Sequence, residues 1–308
     1  MLRSLLEMIG RDLPPERSVA VRGRLRGVGR AGLCVLVVGG ALFPIYFMLI
    51  QSLKTPQEDV FGYALIVRQP TLDNYRELFG EERRRGAIIG RTLLRTYPFM
   101  AWLENTIVVY AGSIALTLVL SVTAGYGLGW LRPPGWRWWR RGLFATYAIP
   151  HTILFVPLYQ VVIRLGLDNN LAALLLTYPM LALPFCVWLL SAYWERLPRA
   201  LEDQARVDGA SRSAVFVRIL LPMSAPVIVA AGVFTLGTVA SDFMLASVFL
   251  LDPRAQTIPA GVGTMDVSLE ELSAVAAINL MAIPIALLCA GFVRSYVRGL
   301  TAAMVEGA

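Results

Sequence analysis

The chain has 308 residues, a formal net charge of +7, and 56% hydrophobic against 16% charged residues, with a mean hydropathy of +0.61. That apolar share exceeds what a water-soluble domain carries, so a soluble enzyme is excluded and an integral membrane protein is expected. The positive charge does not indicate nucleic acid, because the arginines crowd the edges of apolar segments, where topology and attraction to anionic membrane lipid account for them.

A bilayer core of roughly 30 Å needs about 20 mostly apolar residues per helix. Residues 1–30 read as a basic cytoplasmic arm carrying Arg3, Arg11, Arg17, Arg22, Arg24, Arg26 and Arg30. The first apolar run begins only after Arg30 and is long enough to stay in the membrane, which excludes a cleavable signal peptide. Residues 31–50 form the first expected span, and residues 51–99 an external segment. Within it, QPTLDNYRELFG predicts a short amphipathic helix capped by Thr71, lying on the bilayer surface through Leu72, Tyr75, Leu78 and Phe79. EERRRG follows as a solvated loop tip.

The second span is expected over 102–128, then a basic loop with Arg132, Arg137, Arg140 and Arg141. Its WRWWRR run suits an interfacial anchor better than a platform for bases. Further spans are expected over 144–163, 171–193, 226–251 and 273–293, giving an all-α polytopic membrane protein of six transmembrane helices, residues 31–308 forming one domain. Basic residues in the arm, in the 129–143 and 194–225 loops, and at Arg294 and Arg298 place these segments, and both termini, in the cytoplasm. The external segment is discordant, with Lys54 and seven arginines only partly answered by acidic residues.

Cys34, Cys186 and Cys289 lie in apolar spans without C-x-x-C spacing and read as small packing residues. His151 stands alone, with no convergent Cys, Asp or Glu set, so no metal is expected. Pro150, Pro157, Pro179, Pro184 and Pro284 interrupt helices without locating a site. The intramembrane polar candidates are Asp242, a carboxylate that normally faces a bundle interior or water, and Asn105 and Asn279, which suit interhelical hydrogen bonding.

The polar insert LEDQARVDGASRSAVFVRILLPMSAP, residues 201–226, needs its own account. Two helical turns over 201–207 would end at Gly209, Ser211 would cap a second helix, and Pro222 would break it, with Pro226 in the first turn of span five. Such an elbow exposes Asp203, Ala205 and Asp208 for docking into another protein.

D-Q-A from Asp203, then Gly209 after three residues, then Ile219-Leu220-Leu221-Pro222 after nine, resembles the EAA loop of binding-protein-dependent ABC importer permeases. FPIYFMLIQSLKT, PTLDNY, LENTIVV, RVDGAS and VRGLTAAMVEGA are similar to the sugar-importer branch of that family, the branch of the maltose permeases, and extend the resemblance over most of the chain. It implies a type I importer permease fold, with Asp203, Ala205, Asp208, Gly209, Ile219, Leu221 and Pro222 forming the coupling contact to an ATPase. Implied partners are two ATP-binding subunits, a second and different permease chain, and an extracytoplasmic solute-binding protein. The implied setting is a bacterial or archaeal inner membrane.

The chain departs from the family at Asp203 and Gln204, which replace Glu and Ala. It departs again at Ala240, Ser241, Asp242 and Phe243 in place of W-N-E-F, and at Glu306 in place of a lysine. The only lysine, Lys54, follows leucine, so no Walker A loop exists here and no cofactor is expected; ATP belongs to the partner. The implied cargo is an oligosaccharide or disaccharide, with glycerol phosphate or another polyol or glycoside as alternative. A polytopic enzyme or an ion-coupled secondary transporter would need several convergent ionisable groups, and apart from Asp242 the spans offer no such set.

Overall fold

The computed structural model describes residues 15–304 except 64, 81–86, 89–90, 93–96 and 266; the expectations for residues 1–14, for EERRRG and for Glu306 therefore lie outside the described residues. By packing, the chain divides into Met1–Leu72 and Asp73–Ala308. In the first unit, α1 (Pro15–Ser52) is a single helix of 38 residues with Pro44 inside it. The boundary expected at residue 30 falls within this helix, because nothing between Pro15 and Pro44 removes a backbone donor. Its apolar stretch 29–52, 24 residues long, is enough to cross a bilayer. The following α2 (Pro56–Phe61) is capped by Thr55, whose side chain accepts from the Glu58 N–H at 3.2 Å.

The second unit begins with α3 (Asp73–Leu78), followed by a two-residue antiparallel pair, β1 (Ala87–Ile88) and β2 (Arg91–Thr92). Here one face of the expected amphipathic helix packs on protein. Leu78 is buried and Tyr75 packs with it in a cluster with Phe99, Trp102, Ile258, Met265 and Ala277, while Ser273 donates to Glu77 at 2.7 Å. Leu72 and Phe79 stay exposed, so only part of the apolar face is covered by protein.

The core of this unit is built on α4 (Phe99–Tyr126), extended by a wide π turn over Gly127–Leu131, and on α7 (Leu171–Arg196) packed against it. On α4 the buried residues Trp102, Thr106, Tyr110, Ser113, Thr117, Ser121 and Gly125 recur every three or four positions, forming one helical face. Small residues on that face allow close approach where lipid supplies no hydrophobic drive. The approach is tightest at Gly129, where an added Cβ would meet the Ser191 backbone. Arg132, at φ 51°, then ends the helix before Pro133.

α11 (Ala225–Ala240) packs on α4, α7 and the last helix, α14 (Val267–Met304), which follows the short α13 (Ile258–Val262). Four described helices are long and apolar enough to cross a membrane, or five if a pair bent by 69° at Ser224 counts as one span. Two expected spans are therefore not continuous helices. Residues 144–163 divide into α5 (Trp136–Thr146) and α6 (His151–Arg164), because Pro150 disfavours helix at the residue before it and the chain turns over 147–150. Residues 226–251 divide at 241–243 into α11 and the short α12 (Met244–Phe249). The Asp242 carboxylate causes this break by accepting from the Leu245 and Ala246 N–H groups, both at 3.3 Å, in place of a continuing helical ladder.

Candidate functional site

The polar insert folds into α8 (Ala200–Val207), a turn at Gly209, then α9 (Arg212–Val215), a π turn over Phe216–Leu220, and the single turn α10 (Leu221–Met223). Gly209 has φ +83°, a conformation that side-chain-bearing residues rarely adopt. Ser211 accepts from the Ala214 N–H at 3.2 Å, and Pro226 lies in the first turn of α11. These three local features match the reading from residue chemistry.

Two do not. Pro222 leaves Leu221 helical (φ −64°, ψ −47°) and does not break the chain. The preceding π turn has already shifted the hydrogen-bond register, so the proline fits and the 69° bend comes two residues later, at Ser224. Ala205 is not exposed beside Asp203 and Asp208; it packs partly into an apolar cluster with Trp130, Trp194, Leu220 and Phe216. Ile219 joins the same cluster, Leu221 is half-buried, and Asp203, Asp208, Gly209 and Pro222 face outward.

Two tryptophans hold the loop at its ends. Trp130, 1% exposed, donates its indole N–H to Glu202 Oε2 at 2.8 Å and accepts at its carbonyl from Arg199 Nη2 at 2.5 Å. The Arg199 guanidinium lies 4.3 Å from its ring centroid, while Glu202 also meets Arg212 at 3.6 Å. Trp194, fully buried, donates to Ser224 Oγ at 2.5 Å, and Ser224 passes the bond on to the Leu220 carbonyl at 2.6 Å. Beside them Arg132 donates to the Gly129 and Glu195 carbonyls, and Arg140 pairs with the Glu195 carboxylate. Burial, then the neighbouring Arg199, push the Arg132 guanidinium down from its ordinary pKa, and Glu195 opposes them. Trp136 is surrounded by Arg132, Arg137 and Arg140, while Trp138 and Trp139 stay exposed.

Trp130, Trp194, Glu202 and Ser224 were not singled out by sequence reasoning, and Arg199 and Leu220 were given no part in holding the loop. The available signal was an indole at the end of an apolar span, a group that needs an acceptor when buried.

The intramembrane candidates lie apart from this loop and have separate partners. Half-buried Asp242 accepts from the Tyr178 hydroxyl at 2.8 Å, with Tyr110 within electrostatic reach. Asn105 donates to the Arg254 and Gln256 carbonyls, both at 2.9 Å. Trp102 donates to the Pro253 carbonyl at 2.6 Å and Thr106 accepts from the Ile258 N–H at 2.8 Å. The LENTIVV segment thereby sews the connection after α12 to the start of α4, and an added Cβ at Gly261 would strike the Trp102 ring. Asn279 is buried in α14, and the side chain of His151 lies outside the described residues. Among the described residues no group of three or more His, Cys, Asp or Glu could hold a metal.

Residues 118–301 match the family described as the inner membrane component of binding-protein-dependent transport systems. The sulfoquinovosyl glycerol transport system permease protein of Agrobacterium fabrum is 31% identical over 278 residues, 89% of this chain and 91% of that one. The trehalose transport system permease protein of Mycobacterium tuberculosis is 30% identical over 289 residues (92% and 100%), and the trehalose/maltose permease protein of Thermococcus litoralis 28% over 275 (86% and 92%). In fold, the chain is similar to a chain of a bacterial ABC transporter that imports the acidic polysaccharide alginate, with a TM-score of 0.67 at 19% identity, covering 89% of this chain and 96% of that one. The family assignment, the apolar helices and the helical fold agree: the chain belongs to the inner-membrane permease components of binding-protein-dependent ABC transport systems, a multi-pass transport subunit and not an enzyme.

Proposed function

We propose that this chain is one of two permease subunits of an ATP-driven importer of a disaccharide or oligosaccharide, and that residues 194–225 are its coupling loop. The observation that carries the reading is the folded insert itself: two short helices about Gly209 at φ +83°, with Asp203 and Asp208 outward, in a chain that contains no Walker A lysine. A polar surface fixed to the ends of apolar helices serves as a docking face for a soluble subunit. The shorter carboxylate of Asp203 keeps the charge of the family glutamate one methylene closer to the backbone.

In this reading the loop faces the cytoplasm, the ATPase subunits bind in two copies, and a second permease completes the pathway. ATP and the loaded binding protein favour the outward-open state through their differential affinity for it, since a ligand shifts an equilibrium by no other means. Asp242 is the leading pathway group; Asn105, whose bonds to loop carbonyls suit packing, and the buried Asn279 stand as further candidates. The sugar class is supported by the carbohydrate names carried by the relatives.

The test is uptake by proteoliposomes holding this chain with its partner permease, ATPase and binding protein, offered trehalose, maltose and glycerol phosphate. Uptake of a disaccharide that requires ATP inside and binding protein outside is expected. Uptake driven by an ion gradient without ATP would overturn the reading, and ATP-dependent uptake of glycerol phosphate alone would change the cargo.

A further inference from the structure

We infer that Trp130 is a positioning residue that hands displacement of the coupling loop to α4; this rests on the coupling reading above. Three contacts converge on the one side chain and its backbone. The indole N–H meets Glu202 Oε2 at 2.8 Å, the ring face meets the Arg199 guanidinium at 4.3 Å, and the Trp130 carbonyl accepts from Arg199 at 2.5 Å. Glu202 and Arg199 bracket the first turn of α8, whose next residue is the docking carboxylate Asp203.

Two features make this connection stiff. Trp130 is 1% exposed, and its neighbour Gly129 lies so close to the Ser191 backbone that α4 and α7 have no slack there. The Glu202 carboxylate, 16% exposed, forms a charge-assisted bond in a partly dry setting, which holds a fixed geometry better than a solvated pair does. Its second partner, Arg212, is 69% exposed and 3.6 Å away, so that contact contributes little. A push on α8 at Asp203 therefore reaches the end of α4 through side chains that cannot yield independently.

The experiment measures solute moved per ATP hydrolysed in reconstituted full complexes. Trp130→Phe keeps a ring for Arg199 but lacks the N–H donor, and Glu202→Ala removes the acceptor. Each should retain the ATPase in a pull-down yet lower the coupling ratio roughly tenfold, the factor carried by a hydrogen bond to a charged group. Glu202→Gln keeps an acceptor oxygen but loses the charge, and should fall between wild type and Glu202→Ala. The double variant Trp130→Phe/Glu202→Ala should be no worse than either single one, because both remove the same bond.

Wild-type coupling in Trp130→Phe, or single effects that multiply, would overturn the inference. Should Trp130→Phe fail to reach the membrane, equal coupling in Glu202→Ala and Glu202→Gln would overturn it as well. Failure of the wild-type complex to retain an ATPase removes the coupling reading itself, an outcome distinct from retention by every variant with unchanged coupling.

Discussion

The helix α11 is broken at both ends, and each break is gripped by an aromatic donor from α7. At one end Trp194 holds Ser224; at the other Tyr178 holds Asp242. The two donors lie 16 residues apart, about 24 Å along a helix, which matches the 16-residue length of α11. The two grips differ in chemistry. Ser224 and Trp194 are fully buried, and the serine hydroxyl both accepts and donates, so that neutral joint is complete. Asp242 is half-buried and accepts three bonds, while a carboxylate offers about four acceptor sites. Under the proposed coupling, a closed joint suits the end that would transmit force, and an incompletely used acceptor suits an end that would meet a solute hydroxyl.

The contrast can be broken most severely at the closed joint. Trp194→Ala removes a fully buried ring and should cost about 3–5 kcal/mol, read as a large fall in the thermal unfolding midpoint of the solubilised protein. An unchanged midpoint would mean that the joint is not packed as described. Gly129→Val drives a side chain into the Ser191 backbone and should cost about 1–3 kcal/mol in the same assay by forcing α4 from α7.

At the open joint, Tyr178→Phe loses a donor to a charged acceptor, about 1.5–3 kcal/mol, whereas Asp242→Asn keeps an acceptor for Tyr178 and should destabilise less. Asp242→Asn should nevertheless shift the half-saturating solute concentration for uptake; wild-type uptake at every concentration would make Asp242 a packing group. The smallest change is Asn105→Ala, which gives up two bonds to carbonyls of a connecting loop, about 1–2 kcal/mol, with faster hydrogen exchange over 253–257 as its signature.

The closed joint and the open one were unequally legible in the sequence. Gly209, Ser211 and Pro226 act on their own backbone, so residue type and spacing sufficed to foresee a turn, a cap and a helix start. Pro222 was misread for a physical reason: the π turn that accommodates it is a matter of hydrogen-bond register, which side-chain composition does not report. Ala205 was misplaced because α8 is too short for its phase to show which face meets Trp130 and Trp194. The Tyr178–Asp242 bond joins residues 64 positions apart, and the Trp130–Glu202 bond residues 72 apart. No local pattern encodes such pairs. Hydropathy located every apolar segment but missed the breaks at 147–150 and 241–243, which a proline and a capping carboxylate impose within otherwise unbroken apolar runs.

The central claim is that the insert docks an ATPase, and the most direct test is a pull-down from gently solubilised membranes with mass spectrometry of the retained chains. Wild type is compared with Asp203→Arg/Gly209→Pro, which reverses the outward charge and forbids the φ +83° turn. The account predicts that an ATPase and a second permease accompany wild type, and that the variant keeps the permease but loses the ATPase. Equal retention of the ATPase by both, or its absence from both, would contradict it.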